Sequence, residues 1–400
     1  MRPESHHDVV IVGARAAGAA TAMLLARAGQ RVLVVDRGRY GTDTLSTHAL
    51  MRGGVVQLHR WGLLDGIVEA GTPPIRRTTF RYAGDEIVVP IKPAHSVDAL
   101  YAPRRTLLDR LLVDAALAAG AEVRYGMTVT ALRRDGDGRV AGLVVRDDAG
   151  RHIDIDAGFV VGADGVRSVV AEHIGAPEER SGTGASAVIY GDWSGLDVSG
   201  YEWMFRPNAS AGVIPTNDGL SCVFVAATPA RVCRGGRQVF ESILAAASPE
   251  VAARVRAATA ASGVRTFTGR PGFMRRAWGA GWALVGDAGY WKDPLTAHGL
   301  TDALRDAELL AGAVLASSSG AMREADALAA YQATRDRVSV PLFWTTDTIA
   351  THRWTDAEIG GLLLQLSSDM ADEVELLGRG HTGCQLAELS GAAAITPDRC

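Results

Sequence analysis

The chain has 400 residues, of which 47% are hydrophobic and 22% charged, and it carries a formal net charge of −4 at pH 7. This composition is typical of a folded globular protein of roughly two to three domains. The small net charge gives no reason to expect nucleic acid or an anionic membrane as a partner.

The sequence shows no recognisable targeting or membrane-spanning segment. Apolar stretches such as 307–316 are too short or too charged to cross a bilayer, so no stable membrane insertion is expected. No secretory apolar region precedes Gly13, and the expected location is therefore cytoplasmic. The cysteines have neither metal-site nor redox-pair spacing, so we predict ordinary thiols and no metal site.

The first forty residues predict a strand, a tight turn, a helix and a second strand. Residues 8–12 form an apolar run that ends at Gly13, residues 17–29 carry helical periodicity, and residues 31–35 are again apolar and β-branched. This order of elements within so short a stretch is typical of a βαβ unit.

The turn of this unit reads Gly13-Ala14-Arg15-Ala16-Ala17-Gly18, a degenerate form of the dinucleotide fingerprint G-x-G-x-x-G. Arg15 replaces the second glycine, and we expect it to add a charge-assisted contact to a phosphate. Asp36 ends the second strand, where an acid accepts from ribose hydroxyls and favours a cofactor without a 2′-phosphate. The predicted contacts are Gly13, Ala14, Arg15, Ala17, Gly18, Asp36 and Arg37.

Two regions interrupt the α/β pattern that follows. Helices are predicted over 53–64 and 105–119, but residues 76–91 alternate and turn at Ala83-Gly84-Asp85, as a β-hairpin does. Residues 185–227 hold several further β-rich runs. A dinucleotide-type chain that is interrupted twice by antiparallel strands predicts a second, discontinuous domain.

Two later motifs extend the first. They are Gly162-Ala163-Asp164-Gly165-Val166-Arg167-Ser168 and Gly286-Asp287-Ala288-Gly289, the latter leading to residues 293–300 and a helix predicted through Ala311. Together with the turn they resemble the flavoprotein superfamily of the p-hydroxybenzoate hydroxylase-like aromatic hydroxylases and the geranylgeranyl reductases. The resemblance covers residues 8–175 and 265–312, and it implies that the dinucleotide is FAD.

The resemblance also implies roles for single residues. Asp164 would lie near the flavin, Asp287 would bond the ribityl chain, Arg105 would open a helix against the cofactor, and Arg52 would lie near the pyrophosphate. For Arg52, as for Arg104, a solvated charge at a helix end is the alternative. Further expected cofactor contacts are Gly286, Pro294, Gly299 and Leu300.

A helix that begins near Gly299 would direct free N–H groups at the N1–C2=O edge of the flavin, where they stabilise the charge of the reduced cofactor. The titratable candidates for chemistry nearby are His298, Lys292 and His48, with a packing or capping role as the alternative for His48. Lys292 is one of only two lysines in the chain. We expect it to steer a pyridine nucleotide or to donate a proton.

The predicted fold class is α/β. A three-layer Rossmann-like FAD-binding domain (1–74, 99–178 and 266–320) accompanies a discontinuous antiparallel β-sheet substrate domain (75–98 and 179–265), and residues 321–400 form C-terminal helices and a tail. Helices are predicted there over 326–337, 338–351 and 356–370. On the β domain, Trp203, Phe205, Val213 and Phe224 either face a hydrophobic substrate or pack in a core.

These observations predict an FAD-dependent oxidoreductase that acts on a hydrophobic small molecule in bacterial specialised metabolism. NAD(P)H is expected as a transient co-substrate, since no second fingerprint appears. Monooxygenation is favoured on superfamily frequency. Ala297-His298 departs from the hydroxylase pattern and keeps reduction of an activated C=C bond open; a non-redox flavin cyclase is a third reading. Halogenation is disfavoured because no Trp-x-Trp-x-Ile-Pro segment occurs, and the oligomeric state is left open.

Overall fold

The structure of the protein is a computed structural model, which describes residues 7–378. Its strands in chain order are β1 (His7–Val12), β2 (Val32–Asp36), β3 (Arg77–Tyr82), β4 (Asp85–Pro90), β5 (Glu122–Tyr125), β6 (Thr128–Arg134), β7 (Val140–Arg146), β8 (His152–Gly162), β9 (Glu178–Ser181), β10 (Ala187–Ser194), β11 (Tyr201–Arg206), β12 (Ala209–Pro215), β13 (Leu220–Ala227), β14 (Thr259–Ala260), β15 (Arg265–Phe267), β16 (Phe273–Arg275), β17 (Trp278–Gly279), β18 (Trp282–Leu284) and β19 (Tyr290–Trp291). Its helices are α1 (Ala16–Arg27), α2 (Arg52–Arg60), α3 (Leu64–Glu69), α4 (Arg105–Ala118), α5 (Val169–Ile174), α6 (Pro229–Val232), α7 (Arg237–Ala247), α8 (Pro249–Ala257), α9 (Gly299–Ser318), α10 (Glu324–Ala350) and α11 (Asp356–Gly378).

The first sheet has the order β17-β18-β8-β1-β2-β5, and the five strands from β18 to β5 run parallel. Strands β6 and β7 form an antiparallel meander that continues from β8. Helices α1, α4 and α9 share one buried core on one side of this sheet, and β7 lies in the core on the other side. Val10 and Ile11 on adjacent positions of β1 are both fully buried, as expected for a strand covered on both faces. The three-layer Rossmann-like fold is therefore confirmed.

The second sheet has the order β14-β10-β13-β12-β11-β3-β4, and β15 pairs with β10. The predicted hairpin is present as β3 and β4, and it joins the later strands through a parallel pairing of β3 with β11. Two separate stretches of the chain thus build one sheet, which agrees with the predicted discontinuous β-sheet. The limits 75–98 and 179–265 for a substrate domain stay a prediction.

The two faces of the second sheet have different partners. Side chains alternate along each strand, so Trp203, Phe205 and Phe224 share one face, which we call the inner face, with α10, α11 and the loop before α9. Val213 lies on the opposite face against α7 and α8. Of the two readings for Val213, packing in a core is therefore the one that the structure shows, because its position on β12 has the opposite parity to the three aromatic residues.

The C-terminal helices are longer than predicted. Residues 326–351 were expected to form two helices, but α10 is continuous and contains Pro341. Helix α11 reaches Gly378, the last described residue, eight positions beyond the predicted end at Met370. The predicted tail lies outside the described residues. Within residues 7–378, no helix combines the length and the hydropathy needed to cross a membrane.

Candidate functional site

The turn between β1 and α1 needs glycine at two of its three fingerprint positions. Gly13 has a φ of +107°, and a Cβ added there would lie 2.4 Å from the carbonyl oxygen of Ala163. A Cβ at Gly18 would lie 1.9 Å from the carbonyl oxygen of Gly13. Arg15 occupies the N-cap position of α1 with φ −95°, a conformation open to any residue. The missing second glycine therefore causes no backbone strain.

Asp36 connects the end of β2 to this turn. Its carboxylate accepts hydrogen bonds from the N–H of Ala14 at 2.7 Å and from the N–H of Gly38 at 2.6 Å. A depression in front of the turn is lined by residues that include Ala14, Arg15, Asp36 and Tyr125. Arg37 is exposed and pairs with no residue among 7–378, so a cofactor contact for it stays a prediction.

The arginines next to the turn are held by a carboxylate that the sequence analysis missed. Asp109, buried on α4, pairs with Arg105 at 2.9 Å and with Arg15 at 3.1 Å. The i,i+4 spacing of Arg105 and Asp109 was the available signal. Asp109 thus holds two guanidinium groups beside the α1 N-terminus, where free N–H groups already favour a phosphate.

Arg104 and Arg52 differ from each other in their surroundings. Arg104 lies 3.7 Å from Asp192 on β10, so it contacts the second sheet and is not a solvated helix-end charge. Arg52 is half-buried at the start of α2, and its side chain donates a hydrogen bond to the carbonyl oxygen of Val97 at 3.5 Å. Burial lowers the pKa of Arg52. A role for Arg52 at the pyrophosphate stays a prediction.

Replacement of Asp109 by Asn is expected to lower the stability of the apoprotein by about 2 kcal/mol, because hydrogen bonds to a charged group contribute about 1.5–3 kcal/mol. The matched control is Glu241→Gln, which breaks the i,i+4 pair with Arg237, whose side chains are 46% and 52% exposed. An exposed pair of this kind contributes at most about 0.5 kcal/mol. Urea unfolding of both variants measures the difference, and equal losses would contradict the assignment of Asp109 as the residue that fixes both arginines.

The carboxylate of Asp164 caps the N-terminus of α5. One carboxylate oxygen accepts from the N–H of Val169 at 2.7 Å, at the start of α5, and the other accepts from the hydroxyl of Ser168 at 2.5 Å. Burial raises the pKa of Asp164, and these hydrogen bonds oppose the increase. The Cα of Asp164 would lie 3.2 Å from a Cβ at Gly13, so the first two motifs meet in space. Its contact with the flavin stays a prediction.

The third motif packs against the first. Gly286 has a φ of +60°, and a Cβ there would lie 3.0 Å from the Cβ of Ala17 on α1. The carboxylate of Asp287 faces the start of α9, 3.9 Å from a Cβ at Gly299, and accepts no hydrogen bond from the described part of the chain. Burial raises the pKa of Asp287 to about 6, and Lys292 and Arg105 oppose this increase. An unpartnered carboxylate at this point fits the hydroxyls of a ribityl chain.

The loop before α9 is tied to the second sheet. Asp293 accepts from the N–H of Leu295 at 3.0 Å and from the N–H of Ser186, just before β10, at 2.6 Å. Residues 292–298 are buried except for Pro294, whereas Gly299 is exposed and Leu300 is half-buried. The three predicted cofactor contacts Pro294, Gly299 and Leu300 are thus the residues between 292 and 300 whose surface remains accessible to solvent.

Two of the three candidates for chemistry belong to a buried set of charges, which we call the α9 ion cluster. Its members are Lys292, His298, Asp302, Arg305, Asp306 and Glu373. Lys292 contacts Asp302, and His298 lies 3.1 Å from Asp302 through Nδ1 and 2.9 Å from Glu373 through Nε2. Arg305 pairs with Asp302 at 2.8 Å, with Glu373 at 2.6 Å and with Asp306 at 2.7 Å.

Four members of this cluster were missed by the sequence analysis. Charged residues at positions 298, 302, 305 and 306 follow helical spacing on an otherwise apolar, buried helix, which was a readable signal. His298, Asp302 and Glu373 place ligating atoms within 4.8 Å of one another. Because both carboxylates already pair with Lys292 or Arg305, we assign the cluster to ion pairing.

His48 lies apart from this cluster. It is buried with its backbone in the left-handed region at φ +68°, and its Nδ1 has no hydrogen-bond partner within residues 7–378. Burial lowers the pKa of His48 to about 4, and the cations Arg104 and Arg265 add to the decrease while Asp43 opposes it. The side chain is therefore a neutral imidazole at pH 7, and it has no extra proton to donate.

Comparison with known proteins places these motifs in a wider group. A family model described as an FAD binding domain matches residues 6–343. The menaquinone reductase of Mycolicibacterium smegmatis is 28% identical over 325 residues, which are 76% of this chain and 75% of that protein. Aklavinone 12-hydroxylase RdmE of Streptomyces purpurascens is 30% identical over 234 residues, 52% of this chain and 43% of that protein. A triple mutant of the flavin-dependent brominase Bmp2 has a TM-score of 0.79 at 18% identity, with 95% of each chain covered, and shares the fold.

Proposed function

The chain belongs to the family with this FAD binding domain, and we propose that it is a monooxygenase that uses NAD(P)H to hydroxylate or epoxidise a hydrophobic small molecule. That it is an FAD-dependent oxidoreductase, as the three motifs predicted, is confirmed by the matches to hydroxylases and reductases. The source of reducing equivalents, the substrate and a place in bacterial specialised metabolism belong to the proposal.

FAD supplies the redox chemistry when it is bound, and the residues described above fit its parts in order. The α1 N-terminus with Arg15 and Arg105 would hold the pyrophosphate, and Asp36 would hold the adenosine ribose. Asp287 would accept from the ribityl hydroxyls. The start of α9 would direct its free N–H groups at the pyrimidine edge, because the first N–H groups of a helix have no intrahelical partner.

A hydrophobic substrate is supported by the inner face of the second sheet. Trp203 and Phe224 pack there in one buried cluster with Leu295 and Ala297 of the loop before α9. This contact brings an apolar, aromatic surface next to the loop that would carry the flavin. Such a surface excludes water from a reacting centre and is typical of small-molecule sites. It is the observation that carries the proposal of a hydrophobic substrate.

Reduction of an activated C=C bond is the second candidate. The relative named menaquinone reductase shares three quarters of its length with this chain, whereas the hydroxylase shares less than half. Ala297-His298 supports the same branch, since it departs from the hydroxylase pattern. The inner face suits either reaction, so oxygen dependence decides between them.

The test is substrate conversion by the FAD-loaded protein with NADPH or NADH, in air and under argon. Polycyclic phenols and naphthoquinones serve as the probes. We expect oxygen-dependent turnover, with one atom from ¹⁸O₂ in the product. Product formed at an equal rate under argon would overturn monooxygenation and establish the reductase. The control is Asp287→Ala, which is expected to bind FAD more weakly and, without excess FAD, to convert every probe more slowly.

A further inference from the structure

The segment just before β10 lies between the loop before α9 and the C-terminal end of α10. In the last turn of α10, Asp347 accepts hydrogen bonds from the N–H groups of Thr183 and Gly184, both at 2.9 Å. A Cβ at Gly184 would lie 2.2 Å from the carbonyl oxygen of Asp347, so the two backbones are in direct contact. Ser186, at the end of this segment, is fully buried. It is thus placed to connect the helix with the loop.

Ser186 makes this connection with both its backbone and its side chain. Its N–H donates to the carboxylate of Asp293 at 2.6 Å, and the same carboxylate accepts from the N–H of Leu295 at 3.0 Å. Its hydroxyl lies 3.0 Å from Nε2 of His352, two residues after α10. Asp293, Ser186 and His352, which we call the loop–helix chain, are all buried. Water therefore does not compete for their hydrogen bonds.

His352 lies at a position where many helices end on glycine. It follows Thr351, the C-cap of α10, and has a φ of +54°, in the left-handed region that glycine adopts without steric cost. A histidine here carries a backbone cost that tertiary contacts must offset. Within residues 7–378 its Nδ1 has no hydrogen-bond partner, so the side chain is held through Nε2 and Ser186. The contact with Ser186 is what a glycine at this position would lack.

The hydrogen bonds of the loop–helix chain run toward the carboxylate. Burial lowers the pKa of His352 to about 4, and Arg231 adds to the decrease, so the imidazole is neutral at pH 7 and carries one N–H. That N–H is on Nε2, because a buried N–H on Nδ1 would have no acceptor. His352 therefore donates to the Ser186 hydroxyl, which is free to donate to Asp293. Burial raises the pKa of Asp293 to about 6, and hydrogen bonds from Ser186 and Leu295 oppose that increase.

The loop before α9 depends on contacts with other elements for its conformation. Ala297 has a φ of +51°, in the left-handed region that an alanine rarely adopts. Asp293 caps the short 3₁₀ turn that leads to Ala297, and the hydroxyl of Thr296 lies 3.3 Å from that of Thr346 on α10. Pro294, whose surface is accessible and which the sequence assigns to the cofactor, directly follows Asp293. The position of Asp293 therefore sets that of Pro294.

We propose that His352 is a positioning residue for the cofactor: through Ser186 it holds Asp293, and it thereby fixes where the loop before α9 lies against FAD. This inference rests on the proposed function, which assigns that loop to the flavin. His352 touches no part of the cofactor in this role, and no covalent bond forms or breaks. Because Ser186 leads directly into β10, the same contact aligns the second sheet with the loop.

The first experiment compares two substitutions of His352. His352→Asn removes the imidazole but keeps the backbone conformation, because asparagine adopts the left-handed region readily and is too short to reach Ser186. We expect it to bind FAD about tenfold more weakly than the wild type, the effect of losing about one hydrogen bond. His352→Gln places an amide N–H near the position of Nε2 and is expected to restore the affinity to within about twofold. Titration of the apoprotein with FAD, followed by flavin fluorescence, measures both.

The matched control is His95→Asn. His95 also has a left-handed backbone, at φ +50°, and its partner is Glu375 at 3.5 Å, so it has no part in the loop–helix chain. Its substitution should leave the affinity for FAD unchanged.

A second substitution tests the same contact from the other side. Ser186→Ala removes only the hydroxyl and keeps the N–H bond to Asp293, so it decides the matter even if His352→Asn does not fold. The double variant should bind FAD no more weakly than the weaker single variant, because both substitutions break one shared contact. Additive losses of affinity would contradict a role of His352 through Ser186.

Visible circular dichroism of the protein saturated with FAD separates positioning from stability. The signal reports the surroundings of the flavin ring, and saturation removes the effect of weaker binding. His352→Asn and Ser186→Ala are expected to change the spectrum in the same way, whereas His352→Gln and His95→Asn keep that of the wild type. If the first two variants keep the wild-type spectrum, whatever their stability, the role of His352 is structural only and the proposal is overturned.

The two levels of inference fail differently. A wild-type protein that does not bind FAD would contradict the proposed function. A wild-type protein that binds FAD, with the same affinity and spectrum in His352→Asn and Ser186→Ala, would contradict only the role of His352.

Discussion

Replacement of Arg305 by Met is expected to destabilise the apoprotein by about 3–5 kcal/mol, the range found when one partner of a buried ion pair is removed. The guanidinium is fully buried, and its loss leaves Asp302, Asp306 and Glu373 without their shared cation. Methionine keeps much of the side-chain volume, so the lost charge dominates the effect. Such a loss is a large part of a typical folding free energy of about 5–15 kcal/mol.

The control for this substitution is Arg323→Met. Arg323 also pairs with an aspartate at i,i+3 spacing, but it is 84% exposed. Exposed pairs contribute about 1 kcal/mol or less. Unfolding of both variants in urea gives the comparison. If the Arg305 variant lost no more stability than the Arg323 variant, the α9 ion cluster would not be the structural centre that its geometry indicates.

The second large effect is expected in cofactor binding. Asp287→Ala should weaken FAD binding about 100-fold, equivalent to about 3 kcal/mol, because it removes the only carboxylate assigned to the ribityl hydroxyls. Titration of the apoprotein with FAD, followed by quenching of flavin fluorescence, measures the change. Asp85→Ala, at an exposed aspartate of β4, should bind FAD as the wild type does.

A stability measurement separates this effect from misfolding. Burial raises the pKa of Asp287 to about 6, so the folded apoprotein disfavours the charged carboxylate at pH 7. Asp287→Ala should therefore leave the apoprotein at least as stable as the wild type. An apoprotein that unfolds more easily than the wild type would show that Asp287 supports the fold and not the cofactor.

The parts of the fold that were predicted correctly rest on local patterns. The βαβ unit, α4 and the hairpin β3–β4 each follow from the hydrophobic period of a short segment together with its turn residues. The α9 start at Gly299 was also found, because a motif marks it. The boundary predicted between residues 337 and 338 is wrong, since α10 runs without a break from Glu324 to Ala350. Pro341 lies within it, and packing of the surrounding helix against its neighbours outweighs the one hydrogen bond that a proline loses.

The parts of the site that were missed depend on residues distant in the sequence. Glu373 enters the cluster from α11, 68 positions after Arg305, and no local pattern connects the two. Helical spacing alone predicts the pairs of Asp109 with Arg105 and of Asp302 with Arg305. Their other partners, Arg15 and Lys292, lie on different elements. Local periodicity identifies which helix face is charged, whereas only the folded chain determines which charges meet.

The pairing of β3 with β11 has a consequence for synthesis of the chain. Strand β3 leaves the ribosome long before β11 exists, yet its only other partner in the sheet is β4, and a two-stranded hairpin is marginally stable in water. The hairpin therefore lacks a third strand until the chain has been synthesised as far as β11. Removal of residues from β11 onward would leave Phe80 and Tyr82 without the inner face that they pack against, so nascent chains halted in this interval should be the most prone to aggregate.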